Sequence, residues 1–319
     1  MPQSTQLKIG TLILLLTLIS CRHIKPSAGP TDLQATPQVY FDRYPVRDSL
    51  LAVEESEFKN RLMYTKTQFR LTYADGDAER VVKLEFYRTK KGHGPRPTLN
   101  VVPIRAGSYV VSRLLARWAA RRGYNAVIVK RPTKWFRTSH SVEDLEQIFR
   151  GALSDHRSVL AWLRERPEVD KKRMGIVGTS LGAFTGVMLA ALEPQIKMNF
   201  LLMGGQDFSK IILNSEDEGV VKWVAARMAL NGMTKEELRL KIKEHIISDP
   251  LAVSKYIDPK KVVQVITKKD KDVPAASQWE LWESLNRPEA YVFPVGHYTM
   301  AIYLRPILRR FKKHLKRLL

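Results

Sequence analysis

From residue 69 onwards, short apolar runs alternate with amphipathic stretches, and this rhythm restricts the possible folds more than any other feature of the chain. Residues 69–73 and 81–87 alternate apolar with polar side chains on either side of Ala74-Asp75-Gly76-Asp77, a pattern that predicts a hairpin. The run 99–104 reads as a buried strand. Arg105-Ala106-Gly107-Ser108 then leads into a helix through Leu114, Leu115, Trp118 and Ala119, which stops at Gly123. The same spacing predicts strands over 126–129, 173–177, 199–203, 262–267 and 290–295. Helices are expected over 142–166, 181–192 and 275–285, with a terminal one from Tyr298. A hairpin followed by repeated β-α-β units gives an α/β architecture, a mostly parallel sheet with helices on both faces. Ahead of it, 50–65 reads as an entrance helix with Leu50, Leu51, Phe58 and Leu62 on one apolar side.

With 319 residues, 44% of them hydrophobic, the chain can bury one large core, so a single domain over 49–319 fits better than two small ones. The stretch 206–259 lies between two strands and is too long for a bare connection. Its helical patterns, 220–230 and 235–247, predict a small helical cap over the site; an insert packed elsewhere is the alternative.

The N-terminus reads as an address. The apolar run 9–19 is about half of the ~20 residues a spanning helix needs, which is the length of a signal-peptide core. It ends in Leu18-Ile19-Ser20-Cys21, which resembles the lipobox of bacterial lipoproteins. That resemblance implies cleavage of 1–20, a lipid on Cys21 and an envelope destination, with the outer membrane favoured because Arg22 stands where an inner-membrane retention Asp is usual. An ordinary signal peptide is the alternative. Cys21 is the only cysteine, so no intramolecular disulfide can form. Residues 21–48, with Pro26, Pro30, Pro37 and Pro45 and no periodic apolar pattern, read as a flexible tether.

A net charge of +21 raises the question of a polyanionic partner. No zinc-finger, helix-turn-helix or RNA-binding aromatic pattern accompanies it, so specific nucleic-acid binding is not expected. The basic C-terminal stretch, with Leu308, Phe311, Leu315 and Leu318 at helical spacing, reads as a packing helix with a solvated cationic face. Contact with anionic lipid is its sharper alternative.

Gly178-Thr179-Ser180-Leu181-Gly182 falls directly between a predicted strand and a predicted helix. A serine there sits on a tight turn, its neighbours must be small, and the helix N-terminus offers backbone N–H groups to a developing oxyanion. A serine hydroxyl becomes nucleophilic when a base takes its proton, and an imidazole base needs a carboxylate to hold its tautomer. The expected order is serine, acid, histidine. His297, in Phe293-Pro294-Val295-Gly296-His297-Tyr298, combines a late position with a strand end. His314 reads as solvated in the terminal helix, and His245 lies mid-helix in the insert. For the acid, the run 262–266 delivers Thr267-Lys268-Lys269-Asp270-Lys271-Asp272-Val273-Pro274.

At this point the chain, from about residue 69 to its end, resembles the α/β-hydrolases, particularly their esterase and dienelactone-hydrolase-like members. In those relatives the acid is followed by two residues and Val-Pro, which implies Asp270, with Asp272 as the alternative. They usually carry Gly where Thr267 or Lys268 stands. The resemblance also implies an oxyanion hole built from the backbone N–H groups of Leu181 and Arg105, with Ile104 as alternative to the latter. This chain reads Pro103-Ile104-Arg105-Ala106-Gly107 where relatives carry His-Gly-x or Pro-Gly-x. The implied activity is cleavage of a carboxylic ester or thioester of a small molecule or lipid through an acyl-enzyme. A small amidase or peptidase and a non-catalytic binding module are the alternatives. No metal-ligand spacing, dinucleotide fingerprint or Walker sequence is present, so neither metal nor cofactor is expected.

Overall fold

The computed structural model describes residues 21–30, 32–47, 49–105, 109–131 and 135–319. The expected signal peptide, 1–20, lies outside the described residues, as do Ala106, Gly107 and Ser108.

The predicted hairpin forms from longer strands than the alternation suggested. β3 (Tyr64–Asp75) and β4 (Ala78–Thr89) pair in continuous antiparallel register from Tyr64↔Thr89 to Asp75↔Ala78. Gly76 turns the chain at φ +63°, a conformation that costs glycine little. β5 (Arg96–Val102), β6 (Asn125–Val129), β7 (Val169–Thr179), β8 (Met198–Leu202), β9 (Val262–Thr267) and β10 (Glu289–Phe293) are the parallel strands. With β1 (Arg22–Ile24) and β2 (Leu50–Asn60) at the edges, the order is β1-β10-β9-β8-β7-β5-β6-β4-β3-β2. After β5 the chain first adds β6 on one side, then returns to add β7 on the other. The loops leaving β5 and β7 therefore diverge at a topological switch point, where open α/β sheets form their crevice.

Strand residues alternate between two cores. Leu99, Val101, Phe200 and Leu202 face α2 (Val110–Ala120) and the terminal helix, while Val102, Ile176 and Leu201 face α3 (Val142–Arg164) and α4 (Leu181–Leu192). All twelve residues of α4 are buried, which explains why its sequence shows no polar stripe. Between β8 and β9 the insert folds into α5 (Phe208–Asn214), α6 (Glu218–Asn231), α7 (Lys235–His245) and the short α8 (Pro250–Val253). α9 (Ala275–Ser284) follows β9, and a 3₁₀ turn, Thr299–Tyr303, precedes α10 (Leu304–Leu318).

Three expectations need correction. Residues 50–65 form no entrance helix. β2 runs antiparallel to β3 with every residue exposed, so the backbone ladder and cross-strand pairs such as Glu54↔Arg70, not burial, set its conformation. The stretch 21–48 is no free tether either. β1 adds to the open edge of β10, His23 stacks on Tyr291 and hydrogen-bonds Glu289 at 2.9 Å, and α1 (Gln38–Arg43) delivers a fully buried Tyr44 whose hydroxyl meets Ser248 at 3.1 Å. An unpaired strand edge satisfies a segment's backbone whatever its side chains, and one buried aromatic stabilises its docking by about 2 kcal/mol. Finally, His314 is not solvated. It lies seven residues after Ile307 and three after Phe311, on the buried stripe of α10, and it meets the Tyr291 hydroxyl at 3.0 Å. Burial pushes its pKa down to about 4, against the pull of Glu289.

Candidate active site

Ser180 is the single residue between β7 and α4, held at φ +55° and ψ −126°. A non-glycine residue pays on the order of 1–3 kcal/mol for such a backbone. It is fixed by its N–H donating to the Leu202 carbonyl at 2.8 Å and by its own carbonyl accepting from Ala183 at 2.7 Å. The flanking glycines are steric requirements. A Cβ on Gly178 would stand 2.1 Å from the Gly182 carbonyl oxygen, and one on Gly182 would stand 2.4 Å from that of Val102.

The loops after β9 and β10 extend side by side. Lys268 and Lys269 donate backbone hydrogen bonds to Phe293 and Val295, and a Cβ on Gly296 would come within 2.9 Å of the Lys269 carbonyl oxygen. This close approach brings His297 to the acid: its Nδ1 lies 2.8 Å from Asp270 Oδ2. Asp270 is buried and accepts four further hydrogen bonds. The Thr267 hydroxyl (2.8 Å) and Gln278 Nε2 (3.1 Å) reach Oδ2; the N–H groups of Asp272 (3.1 Å) and Val273 (2.9 Å) reach Oδ1. The Thr267 hydroxyl thus orients the acid. Asp272 faces the cavity, and burial together with this carboxylate pushes the Tyr298 hydroxyl up to about 12. Of the two candidate acids, Asp270 is therefore the partner of His297. Burial alone would lower the His297 pKa, but the hydrogen bond and charge of Asp270, helped by Asp272 and Asp217, outweigh it and raise it above the usual imidazole value.

Ser180, His297, Leu181, Ile104 and Arg105 all line one cavity of ≈ 460 Å³ at the switch point. Leu181 is the first residue of α4, where backbone N–H groups have no partner within the helix. The guanidinium of Arg131 donates to the carbonyls of both Ile104 and Arg105, fixing the start of the loop that follows β5. The Arg105 side chain has a second place, which local sequence did not suggest. Its Nη2 contacts both oxygens of Asp217, at 2.6 and 2.5 Å. Asp217 in turn caps α6 through the N–H groups of Gly219 and Val220, so one guanidinium ties the loop after β5 to the helical insert. Burial would raise the Asp217 pKa, and Arg105 with the two N–H groups brings it below the ordinary value. The partners are 112 residues apart, beyond any sequence spacing rule.

The insert supplies one wall of the cavity, through Phe208, Ile211, Ile212 and Val220. His245 closes α7 near Glu143, at 3.6 Å, away from the cavity lining. Cys21 is partly buried against the core beneath α10. Burial raises its thiol pKa, and nearby Arg310 offsets part of that. Among the described residues, no group of His, Cys, Asp or Glu is arranged to hold a metal, and no helix is long and apolar enough to cross a membrane.

The strand order, the strained serine and the paired Asp270 and His297 point to a hydrolase, and the sequence matches a family model over most of its length: the X-Pro dipeptidyl-peptidase (S15) family, residues 25–293. The chain belongs to this family. It is an α/β-hydrolase of the serine hydrolase class. The fold of this S15 chain is similar to acetyl xylan esterase 1 from Thermoanaerobacterium sp. JW/SL YS485 (TM-score 0.68, 16% identity, covering 96% of this chain and 98% of that one). It is equally similar to the acetyl xylan esterase from Paenibacillus sp. R4 (0.68, 16%, the whole of both chains), and less so to an α/β hydrolase from Penicillium sp. sh18 (0.57, 15%, 79% and 98%). No curated protein sequence matches the chain.

Proposed function

We propose that this S15-family chain hydrolyses a carboxylic ester or thioester through Ser180, His297 and Asp270. The observation that carries the reading is the 2.8 Å contact between His297 and Asp270 at the cavity onto which the strained Ser180 opens. With Nδ1 committed to Asp270, the Nε2 of His297 is the nitrogen left to accept the Ser180 proton. Ser180 Oγ then bonds to the carbonyl carbon, and the negative oxygen is held by backbone N–H groups of Leu181 and of Arg105 or Ile104. His297 returns the proton to the leaving alcohol or thiol. Water, deprotonated by the same imidazole, adds to the acyl carbon, and as the bond to Ser180 Oγ breaks the imidazolium returns that proton to the serine and the acid is released.

The family description favours a second reading, cleavage of an amide after a prolyl residue. A dipeptidyl-peptidase must hold a free amino terminus, for which a carboxylate in the cavity is the natural partner. Asp217 is engaged by Arg105, which takes away one such partner and supports the ester reading. The same reading places the enzyme in a bacterial envelope, anchored by a lipid on Cys21. It rests on the 9–21 sequence, and intact-mass analysis of membrane-extracted protein against Cys21→Ser tests it.

A fluorophosphonate probe applied to residues 22–319, with p-nitrophenyl acetate and Gly-Pro-p-nitroanilide as parallel substrates, tests the activity. Labelling and acetate turnover that vanish in Ser180→Ala support the ester reading, and turnover of the anilide alone supports the peptidase reading. A folded protein that neither labels nor turns over either substrate is a binding module.

A further inference from the structure

Taking the ester reading as given, we infer that the substrate carries an aliphatic chain of medium length, rather than the acetyl group of the esterases whose fold it shares. The cavity beside Ser180 measures ≈ 460 Å³, within the range of pockets that enclose a whole small molecule. That is far more room than an acetyl group fills, and it can take an eight-carbon chain together with its ester.

The walls are apolar on two opposite sides. Leu115 and Ile307 belong to the core between the sheet and α2 and α10, whereas Phe208 and Ile212 belong to the separate core of the helical insert. The site is thus a gap between two hydrophobic cores. An acetyl ester would leave most of this surface against water, while a chain of methylenes would cover it. Most of the charge on the wall is paired within the protein: Arg105 is engaged with Asp217, and His297 with Asp270.

The entrance has the same character. Val110 (63% exposed), Val111 (39%) and Tyr298 (74%) both line the cavity and face solvent. Large apolar side chains left exposed around a cleft mark a surface that meets apolar material, and here they surround the entrance to the nucleophile.

The test is the ratio of kcat/KM along p-nitrophenyl acetate, butyrate, hexanoate, octanoate and decanoate. Each methylene up to octanoate is expected to raise it about fourfold, from the transfer free energy of one buried methylene. Leu114→Trp, which fills part of the gap from α2, should lower the octanoate-to-acetate ratio at least tenfold. Because that variant can disturb packing, a second measurement uses Ser180→Ala: methyl octanoate should raise its melting temperature and methyl acetate should not. Acetate turnover that declines steadily with chain length, with probe labelling intact, overturns this inference and leaves the ester reading standing. No ester turnover and no labelling removes both.

Discussion

Replacing Asp270 by Asn tests the reading most sharply, because the carboxylate and carboxamide have the same shape and differ in one acceptor. Asp270 accepts five hydrogen bonds, and an amide cannot accept all of them. If the new NH₂ takes the place of Oδ1, it faces the N–H groups of Asp272 and Val273 at 3.1 and 2.9 Å, neither of which can turn away. If it takes the place of Oδ2, the Thr267 hydroxyl can rotate and His297 can change tautomer, leaving only the Gln278 amide in conflict. The second arrangement costs less, about 1–3 kcal/mol for one unsatisfied buried donor. It moves the imidazole proton to Nε2, the nitrogen that must accept from Ser180. We expect kcat to fall by about 10³ to 10⁴, or about 4–5.5 kcal/mol of barrier, with loss of stability within the range above. In the native protein neutral His297 is the active form, so activity rises as pH passes its raised pKa. Without the Asp270 charge, burial dominates, and the acidic limb of the residual activity should shift to lower pH. Stopped-flow hydrolysis of a p-nitrophenyl ester, with a urea melt of each protein, measures both effects. A folded Asp270→Asn retaining more than a tenth of native kcat would refute the assignment; Asp272→Asn, the control, should stay within a few-fold.

Three other outcomes follow from the same geometry. Gly182→Ala would drive a Cβ to 2.4 Å from the Val102 carbonyl oxygen and 2.8 Å from that of Pro103; with only backbone to yield, it should cost at least about 3 kcal/mol by urea melt. Unchanged stability would mean that the turn is not packed this tightly. Arg105→Ala should free the N-terminus of α6, raising amide hydrogen exchange there and lowering kcat/KM several-fold. Leaving Asp217 partly buried and unpaired should cost about 1–2 kcal/mol, less than for a fully buried pair. Glu85 is buried among Arg113, Lys66 and Lys130. Burial would raise its pKa, and the Arg113 and Tyr87 hydrogen bonds with the charges of Lys66 and Arg113 instead lower it from 4.5 to about 2. A depressed folded pKa stabilises above the unfolded value and is lost as pH falls through the folded one. Glu85→Gln should therefore cost about 3 kcal/mol at pH 7, at 1.36 kcal/mol per pKa unit, and the difference from native should disappear between pH 4.5 and 2.

The sequence by itself determined the α/β class, and the parallel strands lie where their short apolar runs stand, because a strand buried on both faces is drawn mainly from apolar residues. It also determined the tight turn at Ser180, since the glycines flanking that residue are demanded by contacts within a few residues and with the neighbouring strand end. The meeting of His297 with Asp270 was expected from chain order and resemblance. Where the reading failed, cross-chain contacts outweighed local pattern. Leu50–Asn60 carries no decisive local signal and takes its form from the ladder with β3. The proline-containing stretch 21–48 lost its freedom to the open edge of β10 and to the pocket around Tyr44. Only His314 was legible and overlooked, since its place on the buried stripe follows from helical spacing. Tertiary structure alone decided the rest: the joining of Arg105 to Asp217, the contribution of Thr267 and Gln278 to the acid, and the gap between two cores that shapes the cavity. These depend on where separate elements come to rest against one another, and a one-dimensional pattern encodes each element's faces but not the distance between them.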